Sequence, residues 1–268
     1  MSRGYVAVLC AVLSGLLLSA SFPPGLSPWI AWVALVPLLR SISGKSTSRA
    51  FVLGLLAGFV HSLTLMYWIL VVMGHYGGLD IFTSTAILIL FCLYLSIYPA
   101  GFACLSRLVA GSRFQVFWWA VLWVSLEYVR AQILTGFPWC LLGHSQYNRL
   151  LLIQVADLTG VYGISFLVVM FNVLIYLILF DRTSFRGIAR KAETALAILL
   201  VSVSLVYGWY RVERHREGEG LRPSFKVAVV QGNIDQSLKW NPEHQEKTIG
   251  IYENLTRQAA PFRPDLVL

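Results

Sequence analysis

Charged side chains are rare in the apolar part of this 268-residue chain, and two of them stand three residues apart. Glu127 and Arg130 lie in WWAVLWVSLEYVRAQ, and this spacing puts both side chains on one face of a helix. A charged side chain inside a membrane is costly and therefore marks a functional candidate. The sequence favours an ion pair within the helix, and a ligand-binding site is the alternative.

Two other ionisable side chains stand alone in apolar segments. His61, in AGFVHSLTLMYW, is either a proton-relay group or, more simply, a histidine hydrogen bonded to a neighbouring helix. Asp157, in LLIQVADLTGVYG, precedes the main apolar stretch and is therefore predicted at the membrane interface. The sequence lacks the repeated acidic residues that are typical of ion-coupled transporters.

The cysteines indicate neither a metal site nor a disulfide framework. They lie in or beside apolar segments without metal-ligand spacing, and we expect them to be small apolar packing residues. The four positions are Cys10, Cys92, Cys104 and Cys140. No metal and no cofactor is predicted.

The composition assigns most of the chain to a membrane. Hydrophobic residues make up 57% of it and charged residues only 13%, whereas ordinary globular domains carry about 25% charged residues. The segment Pro28–Leu39 is short and contains Pro37, so it is predicted to be a kinked or incomplete span. The seven predicted spans are Tyr5–Phe22, Pro28–Leu39, Phe51–Met73, Ile81–Leu105, Phe114–Gln132, Leu151–Phe180 (the spanning part nearer Ile164–Phe180) and Ala192–Tyr210.

The net charge of +8 reports membrane topology and not nucleic-acid binding. Basic residues are concentrated in alternate loops, which the positive-inside rule assigns to the cytoplasm. One more span then carries the segment from Arg211 onward to the opposite side of the membrane. The basic loops are RSISGKSTSR, SRLVAGSR and DRTSFRGIARK.

The loop LTGFPWCLLGHSQYN has the composition of an interrupted helix. Gly136, Pro138 and Gly143 break the helical pattern, and Phe137 and Trp139 add rings that favour the headgroup level. Irregular backbone at membrane depth persists only against protein or water. Two interpretations stay open: a partly embedded loop beside a lipid-facing groove, or an ordinary interfacial connector.

The C-terminal segment has the pattern of a water-soluble α/β domain. Lys226–Gln231 is an apolar, β-branched run typical of a buried strand, and Gly232 and Asn233 supply turn residues after it. A helix capped by Asn241 follows, and Asp265–Leu268 restarts as a strand. We therefore predict a βαβ unit.

The predicted division is a transmembrane domain at 1–210, a charged linker at 211–224 and the start of an extracytoplasmic domain at 225–268. Such a short C-terminal segment cannot bury enough apolar surface to be stable alone. We therefore expect the chain to be an N-terminal fragment of a longer protein.

Two motifs carry a family resemblance. VAVVQGNIDQSLKW after several spans, and GFPWCLLGHSQYN followed by QVADLTGVYGISFLVVMFN, resemble apolipoprotein N-acyltransferases of the bacterial cytoplasmic membrane. The resemblance covers essentially the whole chain. It implies a polytopic α-helical membrane bundle of about seven spans, followed by the first βαβ elements of a periplasmic, nitrilase-like (carbon–nitrogen hydrolase) α-β-β-α domain.

The resemblance also implies a reaction and its partners. Such an enzyme takes an acyl chain from a membrane phospholipid, forms a thioester on a cysteine, and transfers the acyl group to the α-amino group of a diacylglyceryl-modified apolipoprotein. This chemistry uses a cysteine nucleophile, a glutamate base and a lysine that stabilises the oxyanion. The resemblance implies that these three lie beyond Leu268, so no catalytic residue is assigned and the chain alone is expected to be inactive.

By motif match, the resemblance implies substrate-binding roles for a few residues. Trp240 resembles an aromatic residue close to the active site, with a packing residue as the alternative, and Gln231 and Asn233 are expected to shape that site. Phe137, Pro138 and Trp139 match the membrane loop of the family.

Three other functions compete with the acyltransferase. The first is a different membrane-tethered amidase of the nitrilase superfamily, against which the GFPW loop argues. The second is a small permease or membrane scaffold, against which the sparse intramembrane charge argues. The third is a non-catalytic membrane remnant, which applies if no residues follow Leu268 in the cell.

Overall fold

The computed structural model describes residues 3–181, 188–218, 225–239 and 242–268. Helices dominate the part before residue 219. They are α1 (Arg3–Ala20), α2 (Val36–Ile42), α3 (Thr47–Met66), α4 (Ile69–Val71), α5 (Ile81–Leu105), α6 (Gln115–Gln132), α7 (Leu150–Ile153), α8 (Ala156–Phe180) and α9 (Ile188–Gly218). Short 3-10 turns occupy Pro28–Trp32, Ile133–Thr135 and Leu142–Gln146, and a π-helical turn occupies Val72–Tyr76.

Four of the described helices, α3, α5, α8 and α9, are long and apolar enough to cross a membrane. They correspond to four of the seven predicted spans. The segments Gly4–Ala20 and Pro28–Ile42 form shorter apolar helices, and the 18-residue α6 carries Glu127 and Arg130. The membrane part is therefore a helical bundle whose central members pack on α1, α2 and α6.

The second predicted span is interrupted, as its proline suggested. A 3-10 turn at Pro28–Trp32 is followed by a separate helix, Val36–Ile42. The fully buried Asn172 of α8 hydrogen bonds both sides of the break: its Oδ1 accepts the Leu35 N–H at 2.8 Å, and its Nδ2 donates to the Ala31 carbonyl at 2.8 Å. One amide side chain thus replaces the helical hydrogen bonds that the interruption removes.

Small and aromatic residues fill the bundle interior. Ala57 of α3 and Ala100 and Ala103 of α5 are fully buried, and small residues let transmembrane helices approach closely. The Phe102 ring packs edge-on against Trp123, with ring centroids 5.1 Å apart. This packing fixes α6 beside α5.

The last two helices of the bundle differ from their predicted bounds. In α8, Gly160 adopts φ 63° and ψ −171°, so the segment before it is offset from the long apolar helix after it. Helix α9 continues past the predicted end at Tyr210 to Gly218. Contacts within the helix support this extension: Arg214 donates to the Tyr210 hydroxyl at 2.8 Å, and Arg216 pairs with Glu213 at 3.6 Å.

The C-terminal segment contains two short strands with helices between them. Strand β1 (Val227–Ala228) pairs in parallel with β2 (Leu266–Val267). The connection contains α10 (Gln236–Lys239), a 3-10 turn at Pro242–His244, α11 (Gln245–Ala259) and a 3-10 turn at Ala260–Phe262. Asn241, the predicted helix cap, lies outside the described residues.

Candidate functional site

A small cavity of about 30 Å³ lies where the 137–142 loop meets the helix bundle. Its walls come from α1, α3, α5, α6 and the loop itself, and it brings together several of the polar residues that the sequence singled out in or beside apolar segments. The lining residues are Leu18, Phe22, His61, Tyr98, Pro99, Trp123, Leu126, Glu127, Arg130, Cys140 and Leu142.

Glu127 is buried, with 6% of its surface exposed. Its Oε1 accepts two hydrogen bonds, from the indole N–H of Trp123 at 3.0 Å and from the backbone N–H of Leu142 at 2.7 Å. The first bond stays within α6 and the second reaches the loop. The carboxylate therefore accepts a hydrogen bond from a loop N–H that has no partner within a helix or strand.

Arg130 holds the same loop at a second point. Its Nη2 donates to the Trp139 carbonyl at 3.0 Å, and its own backbone carbonyl accepts the Phe137 N–H at 3.0 Å. One residue of α6 thus engages the loop at both Phe137 and Trp139.

The predicted ion pair between Glu127 and Arg130 is wrong. No nitrogen–oxygen distance of 4.0 Å or less joins the two side chains among the ion pairs of the described residues. The spacing does place both on one face, but each side chain turns to a different part of the loop. The loop competes with Arg130 for the Glu127 carboxylate because the buried N–H of Leu142 needs a hydrogen-bond acceptor.

The loop enters through a strained turn. After α6 ends, Leu134 and Thr135 have φ of 53° and 70°, and Gly136 has φ 81°. A Cβ at Gly136 would lie 2.1 Å from the Ala131 carbonyl oxygen, so a side chain does not fit there. This turn lets the chain fold back against α6 at once.

Aromatic rings attach the loop to α5 and to the turn after α3. The Phe137 ring packs edge-on against Phe91 at 5.0 Å, and Trp139 stacks on Trp68 at 5.9 Å. Trp139 and Trp68 are 55% and 39% exposed. The loop therefore presents a fixed, partly exposed aromatic pair, and Pro138 stands between its two anchored aromatic residues.

His61 is hydrogen bonded to a neighbouring helix, as the simpler interpretation predicted. Its Nδ1 lies 3.0 Å from the Ser19 hydroxyl of α1, and its ring packs against Phe22 at 5.8 Å. Cys140, also in the cavity wall, has φ 54°. Burial raises the pKa of the Cys140 thiol, and the positive charge of Arg130 opposes the rise.

Sequence reasoning missed two residues of this site. Tyr98 lines the cavity, and its hydroxyl lies 2.8 Å from that of Tyr94. Trp68 supports Trp139 and directly follows Tyr67 at the end of α3. An aromatic pair at the end of an apolar helix is the usual mark of a membrane interface, so this signal could have pointed to Trp68.

The remaining predicted site residues lie in the C-terminal segment. Gln231 and Asn233 are brought together, since the Gln231 Nε2 donates to the Asn233 Oδ1 at 2.7 Å, and Asn233 has φ 48°. Both are exposed. Trp240 lies outside the described residues. Within the described ranges, no cluster of three histidine, cysteine or acidic side chains could hold a metal ion.

The family model and curated relatives that match this chain carry the same name. The family model of the apolipoprotein N-acyltransferase N-terminal domain matches residues 14–174. An apolipoprotein N-acyltransferase of Geobacter metallireducens is 42% identical over 97% of this chain and 50% of its own length. Those of Methylococcus capsulatus and Gloeobacter violaceus are 32% and 33% identical, over 94% and 99% of this chain and 49% and 50% of their own lengths.

The chain thus spans about half the length of the curated relatives it matches. The matched domain includes the cavity, the 137–142 loop and Asn172. Its apolar helices agree with a bacterial membrane protein. The chain belongs to the family of proteins that carry the apolipoprotein N-acyltransferase N-terminal domain.

Proposed function

We propose that this chain is the membrane platform of a phospholipid-dependent N-acyltransferase that matures bacterial lipoproteins. The observation that carries the proposal is the match of residues 14–174 to the named domain, with relatives that bear the same name over nearly the whole chain. The acyl donor is a membrane phospholipid, and the acceptor is the α-amino group of a diacylglyceryl-modified cysteine at the N-terminus of an apolipoprotein.

The reaction proceeds in two transfers. A cysteine thiolate attacks the ester carbonyl of the phospholipid, the acyl–oxygen bond breaks, and a lysophospholipid leaves as a thioester forms. The free α-amine of the lipoprotein then attacks the thioester, and the thiolate leaves as an amide forms. We assign the cysteine, the glutamate base and the oxyanion-stabilising lysine to the half of the relatives that follows the matched region, so the present chain contributes no catalytic residue.

The geometry favours a scaffolding and substrate-binding role for the membrane part. Both substrates are anchored in the bilayer, so a site at the membrane surface must accept them laterally. Trp139 and Trp68 form a partly exposed aromatic pair, and Arg130 of α6 donates to the Trp139 carbonyl. We propose that Phe137, Pro138 and Trp139 border the path of the lipid substrate, and that Gln231, Asn233 and Trp240 border the acyl-transfer site.

We further propose that the protein lies in the cytoplasmic membrane with the segment from Arg211 outside the cytoplasm. The basic loops support this orientation. In this arrangement 1–210 is the transmembrane domain, 211–224 the linker, and 225–268 the beginning of a nitrilase-like domain. A single cysteine introduced at Lys45 should react with an impermeant thiol reagent only from the cytoplasmic side, and one at Arg257 only from outside. The reverse pattern, or reaction of both from one side, would contradict the orientation.

The function is tested by joining this chain at Leu268 to the part of the Geobacter metallireducens relative that follows the matched region. The chimaera is expressed in a strain depleted of its own N-acyltransferase, and lipoprotein N-termini are analysed by mass spectrometry. We expect the third acyl chain on the α-amine, while the relative's second half expressed alone should add none. A chimaera that inserts into the membrane but leaves lipoproteins diacylated would overturn the proposal.

The alternative amidase has its own readout in the same experiment. A membrane-tethered amidase would release ammonia or an amine from a soluble amide without adding an acyl chain to the lipoprotein. The relatives that match over nearly the whole chain carry the acyltransferase name, and this favours acyl transfer over amide hydrolysis.

A further inference from the structure

Helix α9 leads from the bundle to the C-terminal segment, and Ala197, Leu200 and Val201 pack its apolar face on the bundle. Ile198, Leu199, Val203 and Val206 are each 55–65% exposed. In a bilayer, apolar burial gives little drive for helices to associate, because lipid tails are as apolar as leucine. Beyond Val201, the position of α9 therefore depends more on its polar contacts and on close backbone packing.

At the end of α9 that leads to the C-terminal segment, the polar contacts are made by the carboxylate of Asp157. The Oδ2 of Asp157 accepts a hydrogen bond from the Tyr207 hydroxyl at 2.8 Å and pairs with the Arg211 guanidinium at 3.1 Å. Tyr207 and Arg211 are four residues apart and so lie on the same face of α9. Asp157 itself stands just before the break at Gly160, outside the long part of α8.

Close backbone packing adds a second restraint at the same level. A Cβ at Gly208 would lie 1.7 Å from the Leu151 carbonyl oxygen, so α7 lies directly against the backbone of α9 there. Gly208 is adjacent in sequence to Tyr207. The 150–157 segment therefore contacts α9 in two ways: the Leu151 backbone packs against Gly208, and the Asp157 carboxylate binds Tyr207 and Arg211.

The other end of α9 has an independent anchor. Buried Glu193 pairs with Arg190 and accepts the Phe117 N–H of α6 at 3.1 Å. From Glu193 to Tyr207 the helix rises about 21 Å at 1.5 Å per residue. Loss of the Asp157 contacts thus leaves α9 attached to α6 at one end and weakens the restraint on its exit end, where the Gly208–Leu151 backbone contact remains.

We propose that Asp157 is a positioning residue: by holding Tyr207 and Arg211 it fixes the exit end of α9, and with it the direction in which the C-terminal segment leaves the membrane. The 31 residues of α9 extend about 46 Å, against a hydrocarbon core of about 30 Å. The helix therefore projects beyond the core as a rigid arm. The expected effect on activity rests on the proposed function, whereas the effect on α9 does not.

The test uses the full chain in lipid nanodiscs, alone and within the chimaera. The variants are Asp157→Ala, Asp157→Asn and the charge exchange of Asp157→Arg with Arg211→Asp. Glu213→Gln is the matched control, because Glu213 pairs with Arg216 of its own helix. Amide hydrogen exchange is followed separately over residues 188–200 and 205–218, together with the thermal midpoint of the whole protein.

Asp157→Ala should speed exchange at 205–218 about tenfold, which corresponds to about 1.4 kcal/mol of local opening free energy. Exchange at 188–200 and the thermal midpoint should stay unchanged. Asp157→Asn should show a smaller effect because it keeps an acceptor for Tyr207, and the charge exchange should restore slow exchange. Glu213→Gln should resemble the unmodified protein.

Unchanged exchange at 205–218 in Asp157→Ala would overturn the proposal, and so would equal acceleration at both ends of α9. In an active chimaera, Asp157→Ala should lower kcat about fivefold or more while the KM for phospholipid stays within about twofold. If the unmodified chimaera transfers no acyl group, the proposed function fails, and the exchange data still decide the role of Asp157.

Discussion

The Oε1 of Glu127 accepts the backbone N–H of Leu142 at 2.7 Å, so this carboxylate of α6 binds loop backbone and not the neighbouring guanidinium. Arg130, three residues later, donates to the Trp139 carbonyl at 3.0 Å. Each charged side chain replaces a hydrogen bond that water would supply elsewhere. The shape of the 137–142 loop is therefore set by α6, and the predictions below test that dependence.

Replacing Glu127 with leucine should destabilise the membrane part. The Trp123 indole N–H and the Leu142 N–H would both lose their acceptor, at a cost of about 2–4 kcal/mol. Glu127→Gln keeps a side-chain oxygen of the same reach and should stay within about 1 kcal/mol of the unmodified protein. Thermal unfolding in detergent followed by circular dichroism checks both; equal midpoints for the two variants would contradict the role of Glu127.

Arg130→Met should loosen the loop without unfolding the bundle. The methionine keeps much of the apolar stem but cannot donate to the Trp139 carbonyl, so Trp139 should stack less firmly on Trp68. We expect faster amide exchange at residues 137–142 and a more polar environment in tryptophan fluorescence. Arg107→Met, in the loop after α5, is the control and should alter neither signal.

Gly136→Ala should cost more than an alanine at another glycine with positive φ. Gly44 has φ 68° and no atom within 4 Å of the point where a Cβ would stand, whereas at Gly136 the Cβ would meet the Ala131 carbonyl oxygen at 2.1 Å. Gly44→Ala should therefore cost about 1 kcal/mol, from the positive φ alone. A larger loss for Gly136→Ala in the same unfolding assay is expected, and equal losses would rule out the steric argument.

Asn172→Leu should destabilise the interrupted Pro28–Ile42 segment. The Leu35 N–H and the Ala31 carbonyl would lose their partner, at a cost of about 2 kcal/mol. Ser84→Ala is a suitable control because the buried Ser84 hydroxyl has no hydrogen-bond partner among the described residues. Amide exchange at residues 30–36 should rise in Asn172→Leu alone; a rise of the same size in the control would point to general loosening.

Acid should weaken the loop through His144. Its Nδ1 accepts the Leu141 N–H at 3.2 Å, which requires an unprotonated nitrogen. Burial, and to a smaller extent the charge of Arg130, lower the pKa of His144 below its ordinary 6.5, although part of the ring is exposed. A depressed pKa in the fold means that the stabilisation is present above 6.5 and is lost as pH falls through the lower, folded value.

The measurement is amide exchange at residues 141–146, corrected for intrinsic rates, as pH falls from neutral. Protection should decline below pH 6.5 in the unmodified protein. His144→Asn, which offers an oxygen acceptor that does not titrate in this range, should flatten the decline. An identical decline in that variant would assign the effect to another group.

Sequence patterns identified the long apolar helices because their length and composition are local properties. The bounds of α5 agree with the predicted span Ile81–Leu105. The interruption at Pro28–Leu39 was also foreseen, since proline is favoured in the first turn of a helix, where Pro37 lies in α2, and disfavours a helix that continues through it. What the pattern could not supply was the partner of that interruption: Asn172 is 137 residues away from Leu35, and no local signal joins the two.

In the candidate site, too, local signals identified single residues but not their partners from distant parts of the chain. Glu127 and His61 were recognisable as ionisable residues in apolar segments, and Phe137 and Trp139 as aromatic residues of an interrupted loop. The pairing of Glu127 with Arg130 was predicted wrongly because helix spacing describes only the helix itself, and the competing acceptors and donors came from the loop. Asp157 was expected at the interface, yet its contacts with Tyr207 and Arg211 depend on how α8 and α9 pack, which spacing along the chain does not encode.

The interruption held by Asn172 has a consequence for biogenesis. As the chain emerges from the ribosome, Leu35 and Ala31 enter the membrane long before residue 172 has been synthesised, since Leu35 precedes its partner by 137 positions. Until then their backbone groups must rely on water or on the insertion machinery. The two hydrogen bonds that span the interruption can therefore form only after α8 has been synthesised.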